Sequence, residues 1–174
     1  RLVRITDGSY RIEGTGNAFR VAKSGSRWTI TDKDGTVYYF GLTSNSRQET
    51  TNGTDVRTTA WLPELVVHLS GKTITYEYTH DANQVYLSRV TWGPSGKYQM
   101  ELTYSPRPDP TTSYRSGLAV VTAQRLASLR VISGASTLRT YSCIYDETLP
   151  ISRLHAVQMT GFGGGGALPP VTFE

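Results

Sequence analysis

Gly71-Lys-Thr-Ile-Thr-Tyr-Glu-Tyr-Thr-His-Asp-Ala-Asn-Gln-Val-Tyr-Leu-Ser-Arg-Val-Thr-Trp-Gly93 is the stretch that decides the fold. Its first half alternates, putting Ile74, Tyr76 and Tyr78 on one face of an extended strand and Thr73, Thr75 and Glu77 on the other. His80 to Gln84 is rich in turn-tolerant residues, and the second half is again β-prone, with Tyr86, Val90 and Trp92 at even spacing. Two period-two runs around a polar turn read as a β-hairpin. So much tyrosine on one face suits a hairpin that stacks beside others like it, and the stretch holds no obvious chemistry.

Composition points the same way. The chain has 174 residues, including 11 tyrosines and 17 glycines. Abundant Tyr, Thr and Val favour strands, and glycine favours tight turns. The length suits a single domain over 1–174, and a compact chain of this size would bury roughly 70% of its unfolded surface. Arg1 is not an initiator methionine and Pro170-Val-Thr-Phe-Glu174 reads as a strand cut in mid-course, so a fragment of a longer protein is expected. The lone Cys143 forms no intramolecular disulfide and is expected as a small buried apolar residue. No segment approaches the roughly 18–20 apolar residues of a membrane span, so membrane insertion by this segment is not expected. Net charge is +4, but the arginines are scattered singly, which fits solvation and edge protection and argues against a nucleic-acid partner.

Working outward, Leu2–Ile5 and Tyr10–Ile12 flank an Asp7-Gly8 turn, and Arg27–Ile30 and Thr36–Gly41 form a second hairpin turning at Asp34-Gly35. Residues 42–58, with Asn52-Gly53, lack periodicity and are expected as an exposed loop. Pro63 should keep the start of the Trp61–Leu69 run from being a central strand. Tyr98–Tyr104 alternates strictly and is a strand, whereas Pro106, Pro108 and Pro110 should bar their segment from a sheet interior and make a stiff extended connector. Residues 117–132 could be drawn as an amphipathic helix, but their β-branched ends favour two strands. Strands over Leu138–Tyr145 and Ser152–Met159 and a flexible Gly161–Gly166 link complete the chain.

One pattern recurs without a fixed period: an alternating Tyr-x-Tyr-like strand, a polar turn, then Leu-x-x-(Val/Leu). It appears as Tyr76–Tyr78 with Leu87–Val90, Tyr98–Tyr104 with Leu126–Leu129, and Tyr141–Tyr145 with Leu154–Val157. This argues for consecutive antiparallel hairpins in a curved, extended sheet. The ordered set Asp34–Gly41, Trp61-Leu62, Gly71–Tyr78, Tyr86–Val90, Pro106-Arg-Pro-Asp109 and Leu168–Phe173 resembles the virulence-plasmid B-protein (SpvB-type) domain that opens the B component of bacterial insecticidal toxin complexes. Related chains carry Rhs/YD repeats, and Tyr145-Asp146 matches the YD pair. The similarity runs from about Trp28 to the end; His68 and Gly71-Lys72 replace the family's more usual aspartate and Gly-Asn. The resemblance implies a Rhs/YD-like all-β strip of a hollow shell around a toxic cargo, with toxicity residing elsewhere. It also implies a secreted or cell-surface location, and neighbouring shell segments and toxin-complex subunits as partners.

No catalytic constellation competes with that reading. His68, His80 and His155 are far apart and lack metal-ligand spacing, and Asp32-Lys-Asp34-Gly35 reads as a turn because the later ligands of a calcium loop are missing. There is no Gly-x-Ser-x-Gly elbow, and Gly163–Gly166 is not followed by the Lys-Ser/Thr of a phosphate loop. Glu77 and Glu101 are expected on solvent faces of strands. The chain is therefore expected to be non-catalytic and cofactor-free. The alternative is a carbohydrate-binding β-module stacking sugars on Trp28, Trp61 and Trp92, whose bland counterpart is cross-strand packing.

Overall fold

The computed structural model describes residues 2–6, 9–15, 18–52, 54–148 and 150–173; the expected Asp7-Gly8 turn and Gly53 lie outside them. The strands are β1 (Leu2–Arg4), β2 (Tyr10–Ile12), β3 (Phe19–Ser24), β4 (Arg27–Asp32), β5 (Val37–Phe40), β6 (Arg47–Asn52), β7 (Asp55–Trp61) and β8 (Pro63–Val67). They continue as β9 (Thr73–Asp81), β10 (Gln84–Trp92), β11 (Tyr98–Ser113), β12 (Val120–Ser133), β13 (Ser136–Asp146), β14 (Arg153–Thr160) and β15 (Val171–Thr172). Thirteen form one sheet in chain order, every pairing antiparallel, while β6 and β7 form a separate hairpin. The sheet does not close: β1 and β15 are its edges. This is the all-β run of consecutive hairpins expected from the sequence.

The Gly71–Gly93 hairpin is β9 and β10, joined by the two residues Ala82 and Asn83, both at positive φ (47° and 66°). Such a turn matches the twist of the strands it joins. Val90 lies opposite Tyr76 and Trp92 opposite Ile74, but the register shifts between Leu87 and Arg89. That β-bulge at Ser88 corrects one expectation. Tyr86 leaves the row of Val90 and Trp92 and lies opposite Thr79, because an extra residue inverts the alternation beyond it.

The same device explains the Leu-x-x-(Val/Leu) repeat. Residues three apart face opposite sides of a regular strand, and one bulged residue between them restores them to one side. Leu87 faces Tyr78 and Val90 faces Tyr76; Leu126 faces Tyr104 and Leu129 faces Leu102; Leu154 faces Tyr145 and Val157 faces Cys143. The residue before the bulge also offers a carbonyl to the next hairpin. Tyr78 Oη donates to Pro63 O (2.6 Å), Tyr104 Oη to Leu87 O (2.8 Å) and Tyr145 Oη to Leu126 O (2.8 Å). Pro63 precedes the corresponding irregularity opposite β5. Each repeat tyrosine thus packs across from one leucine and bonds back to the preceding repeat. Burial of Tyr78, with a smaller contribution from Tyr76, pushes its phenol pKa up to about 12, so it stays a donor at neutral pH.

Three expectations are corrected. Residues 42–58 are not an exposed loop: Ser44–Ser46 is a 3-10 turn, most of the remainder is the β6–β7 pair, and Ser46 and Thr50 are fully buried. Polar composition hid these strands because their anchoring contacts are hydrogen bonds. Thr43 N and Oγ1 and Ser46 Oγ all donate to Glu64, and Gln48 Nε2 donates to Gln84 Oε1 at 3.1 Å. The proline segment is extended but lies within β11, and residues 117–132 give a single strand, β12, in place of two. β11 and β12 pair at Pro106–Gln124 and resume at Thr111–Thr122, so residues 107–110 loop out opposite Ala123. Prolines 108 and 110, which have no N–H to donate, fall in that gap. The N–H groups of Ala123 and Gln124 donate instead to Tyr86 Oη, at 3.1 and 3.2 Å. Pro63 behaves as expected at its own position, opening β8 where only β5 pairs; β9 joins from Leu65. The Gly161–Gly166 link contains a 3-10 turn at Phe162–Gly164.

The sheet is a single layer with two unlike faces. Tyr76, Val90, Met100 and Val131 form one transverse apolar row, while Glu77, Arg89, Glu101 and Arg130 form a charged row on the opposite face. Among the described residues only Val21, Tyr86, Val120 and Ala156 are buried apolar side chains, and Cys143 is half-buried where burial was expected. Accessible surface totals 11088 Å², against about 8,400 Å² for a compact monomer of this mass. That excess of roughly a third fits an extended sheet: among the described residues the apolar face has no second layer over most of its width.

Candidate functional site

The three tryptophans do not converge. Trp28 on β4 meets Tyr10 edge-on at 4.7 Å between ring centroids and Trp61 at 6.0 Å, both at an interplanar angle of 79°. Trp61 closes the β6–β7 hairpin onto the sheet: its Nε1 donates to Ser26 O at 2.6 Å, and its ring lies against Gly41, where φ is +65° and an added Cβ would sit 2.5 Å from Trp61 Cδ1. Trp28 and Trp61 line an apolar cleft of about 230 Å³ with Leu2, Val21, Ile30 and Phe40. Lys23 Nζ lies 5.3 Å from the Trp28 ring. Trp92 is elsewhere, stacked on Tyr98 at 6.1 Å and 29°. All three are half-buried.

The most connected polar cluster lies in the proline segment expected from the sequence to be a stiff connector. In Pro106-Arg-Pro-Asp-Pro110 the extended backbone turns the prolines outward and Arg107 and Asp109 inward to one side. Their side chains form a two-pronged ion pair, Nε to Oδ1 at 3.0 Å and Nη2 to Oδ2 at 2.9 Å. Asp109 also accepts the Ser152 backbone N–H (2.8 Å) and hydroxyl (2.5 Å), which ties β11 to the loop between β13 and β14. Arg125 of β12 completes the cluster, donating to Ser152 Oγ (3.2 Å) and Glu147 Oε1 (2.5 Å) and lying 4.3 Å from the Tyr145 ring centre.

The hydrogen bond from Arg107, followed by those from the Ser152 hydroxyl and N–H, holds the Asp109 pKa well below the usual carboxylate range. A depressed folded-state pKa adds stability above the unfolded value, about 3.9 for Asp, and loses it as pH falls through the lowered folded value. Asp109→Asn is therefore expected to be less stable than wild type at pH 7, with the gap closing as pH drops below about 4. Urea midpoints across that range test it; an unchanged gap at pH 2 would refute the assignment.

The remaining candidates stay apart. His68 Nδ1 lies 2.8 Å from Ser70 Oγ and His80 Nε2 2.8 Å from Asn45 O, while His155 is exposed on β14. Among the described residues no group of three or more His, Cys, Asp or Glu could hold a metal. Glu77 and Glu101 share a face but belong to the charged row: Arg89 reaches Glu77 at 3.4 Å and Glu101 at 3.0 Å, and Arg130 also bonds Glu101. The Arg130 hydrogen bond, then that of Arg89, lowers the Glu101 pKa against the opposing effect of burial, which leaves it a poor general acid. Asp32 acts in its own turn, accepting from Asp34 N and Thr36 N. No described helix is long and apolar enough to cross a membrane, which says nothing of β-barrels.

The family model for the Salmonella virulence plasmid 65kDa B protein matches residues 2–92. This chain belongs to the SpvB family. The match includes residues ahead of Trp28 and ends at Trp92. No curated protein matches the chain in sequence. Fold similarity extends over more of the chain. The N-terminal domain of effector protein SpvB from Salmonella typhimurium strain LT2 has a TM-score of 0.76 at 14% identity, covering 88% of this chain and 68% of that one. TcdB2-TccC3 without its hypervariable C-terminal region gives 0.81 at 18% identity, and the Photorhabdus luminescens Tc holotoxin pore 0.75 at 17%. Each covers 100% of this chain, which spans 12% of either. At these identities the likeness is one of fold.

Proposed function

We propose that this member of the SpvB family is a non-catalytic structural segment of a secreted bacterial toxin-complex protein of the Rhs type, a strip of the β-sheet shell that encloses or presents a toxin cargo. One observation carries the reading: a single-layer sheet with two open edges, β1 and β15, and a surface roughly a third larger than a compact monomer needs. Unpaired edges and an apolar face without a second layer call for neighbouring protein. The fold shared with TcdB2-TccC3 supports shell segments and toxin-complex subunits as those neighbours. Residues 1–174 act in this reading as one unit, locked internally by the tyrosine bonds and the Arg107–Asp109 cluster.

Hydrogen exchange on the isolated chain and on the same segment within its full-length protein tests the proposal. The expected result is extra protection in the larger protein at β1, at β15 and along the apolar rows. Equal protection in both, with the isolated chain monomeric, would overturn it.

A further inference from the structure

The tips of the β9–β10 and β11–β12 hairpins meet the open end of the β6–β7 hairpin, where Gln48 pairs with Ala60. Gln48 Nε2 of β6 donates to Asn83 O (3.4 Å) and to Gln84 Oε1, Asn83 Nδ2 donates to Ala119 O (2.9 Å), and Val121 N donates to Ala82 O (3.0 Å). Between them lies a groove of about 820 Å³, its walls including Gln48, Thr59, Gln84, Thr112, Tyr114 and Arg115. We propose that this groove binds an acidic oligosaccharide.

Four features point to that ligand class. First, the volume falls within the roughly 300–1,000 Å³ of ligand pockets, enough for more than one sugar ring. Second, the walls are hydroxyls and amides, which pair with sugar hydroxyls in either donor or acceptor sense. Third, Tyr114 is 70% exposed. It offers a rigid flat surface of large area at low entropic cost. Fourth, the charge is of one sign. Arg115 lines the groove and Arg57 lies beside it, its Nη1 3.3 Å from where a Cβ on Gly117 would sit. Both arginines are exposed and neither makes an ion pair among the described residues, while no carboxylate lines the groove. A guanidinium left free in a site without carboxylates suits a uronate, sialate or sulfate group. The Trp28–Trp61 cleft, in contrast, has almost wholly apolar walls and would leave sugar hydroxyls without partners.

The test uses the whole chain on an array of uronate-bearing, sialylated, sulfated and neutral glycans, followed by titration calorimetry with hyaluronan tetrasaccharide and chitotetraose. Saturable binding confined to acidic glycans is expected, at least tenfold weaker for Tyr114→Ala and for Arg115→Gln. Both side chains are exposed, so an unchanged circular dichroism spectrum will show that the variants fold. A blank array, equal binding of neutral glycans, or tighter binding of a poly-glutamate peptide would overturn the proposal. So would loss of binding in Trp28→Ala with none in Tyr114→Ala.

Discussion

Tyr104→Ala is expected to destabilise the chain by about 3 kcal/mol, and Tyr104→Phe by about 1 kcal/mol. The half-buried ring lies 5.1 Å from Tyr86, and the hydroxyl is the donor to the carbonyl beside the Ser88 bulge. Removing the ring opens a cavity at the point where β10 parts from β11, and Tyr86, which holds the N–H groups of Ala123 and Gln124, loses its support. Removing the hydroxyl alone leaves the packing intact and costs one net hydrogen bond. Urea unfolding measures both, and equal effects of the two substitutions would show that packing contributes little. The ratio of about three to one reports how the repeat is joined, mainly by aromatic packing and secondarily by the bond to the bulge.

Trp61→Ala should cost about 3 kcal/mol, since it removes an aromatic contact with Trp28 and the hydrogen bond to the Ser26 carbonyl. Gly41→Ala should cost a similar amount for a related reason. Its φ of +65° is about 1–2 kcal/mol unfavourable for a residue with a Cβ, and that Cβ would overlap Trp61 and crowd Arg47. Gly134→Ala is the control: φ is +59° with nothing within 4 Å, so only the backbone contribution, about 1 kcal/mol, is expected. In a Trp61→Ala background the cost of Gly41→Ala should fall toward that of the control, because the atom it strikes is gone. Strict additivity of the two substitutions would refute the contact as the cause.

The architecture was largely legible because period-two alternation is a local signal. Strands β9, β11, β13 and β14 follow from it directly, and the recurrence of Tyr-x-Tyr with Leu-x-x-(Val/Leu) gave the repeat. Residues 42–58 were not legible, because Ser46 and Gln48 satisfy their polar groups through the distant Glu64 and Gln84, and hydrogen bonds leave no hydrophobic period in the sequence. The Arg107–Asp109 pair could have been found: Arg-x-Asp between alternating prolines puts both charges on one side of a forced extended chain. Its partner Ser152, 43 residues away, could not. The groove beside the β9–β10 and β11–β12 tips gave no signal either, since it joins Gln48, Gln84 and Arg115 from three hairpins.

Sequence alone determined most of the antiparallel hairpins and the repeat, because both rest on residue types at short separations, and the family, because its motifs occur in order along the chain. Only the tertiary structure decided that Leu87 and Val90 share a face, that Tyr86 does not, and that the proline segment belongs inside a strand. A bulge shifts every later side chain by one position, and whether it forms depends on a partner strand that local alternation does not reveal.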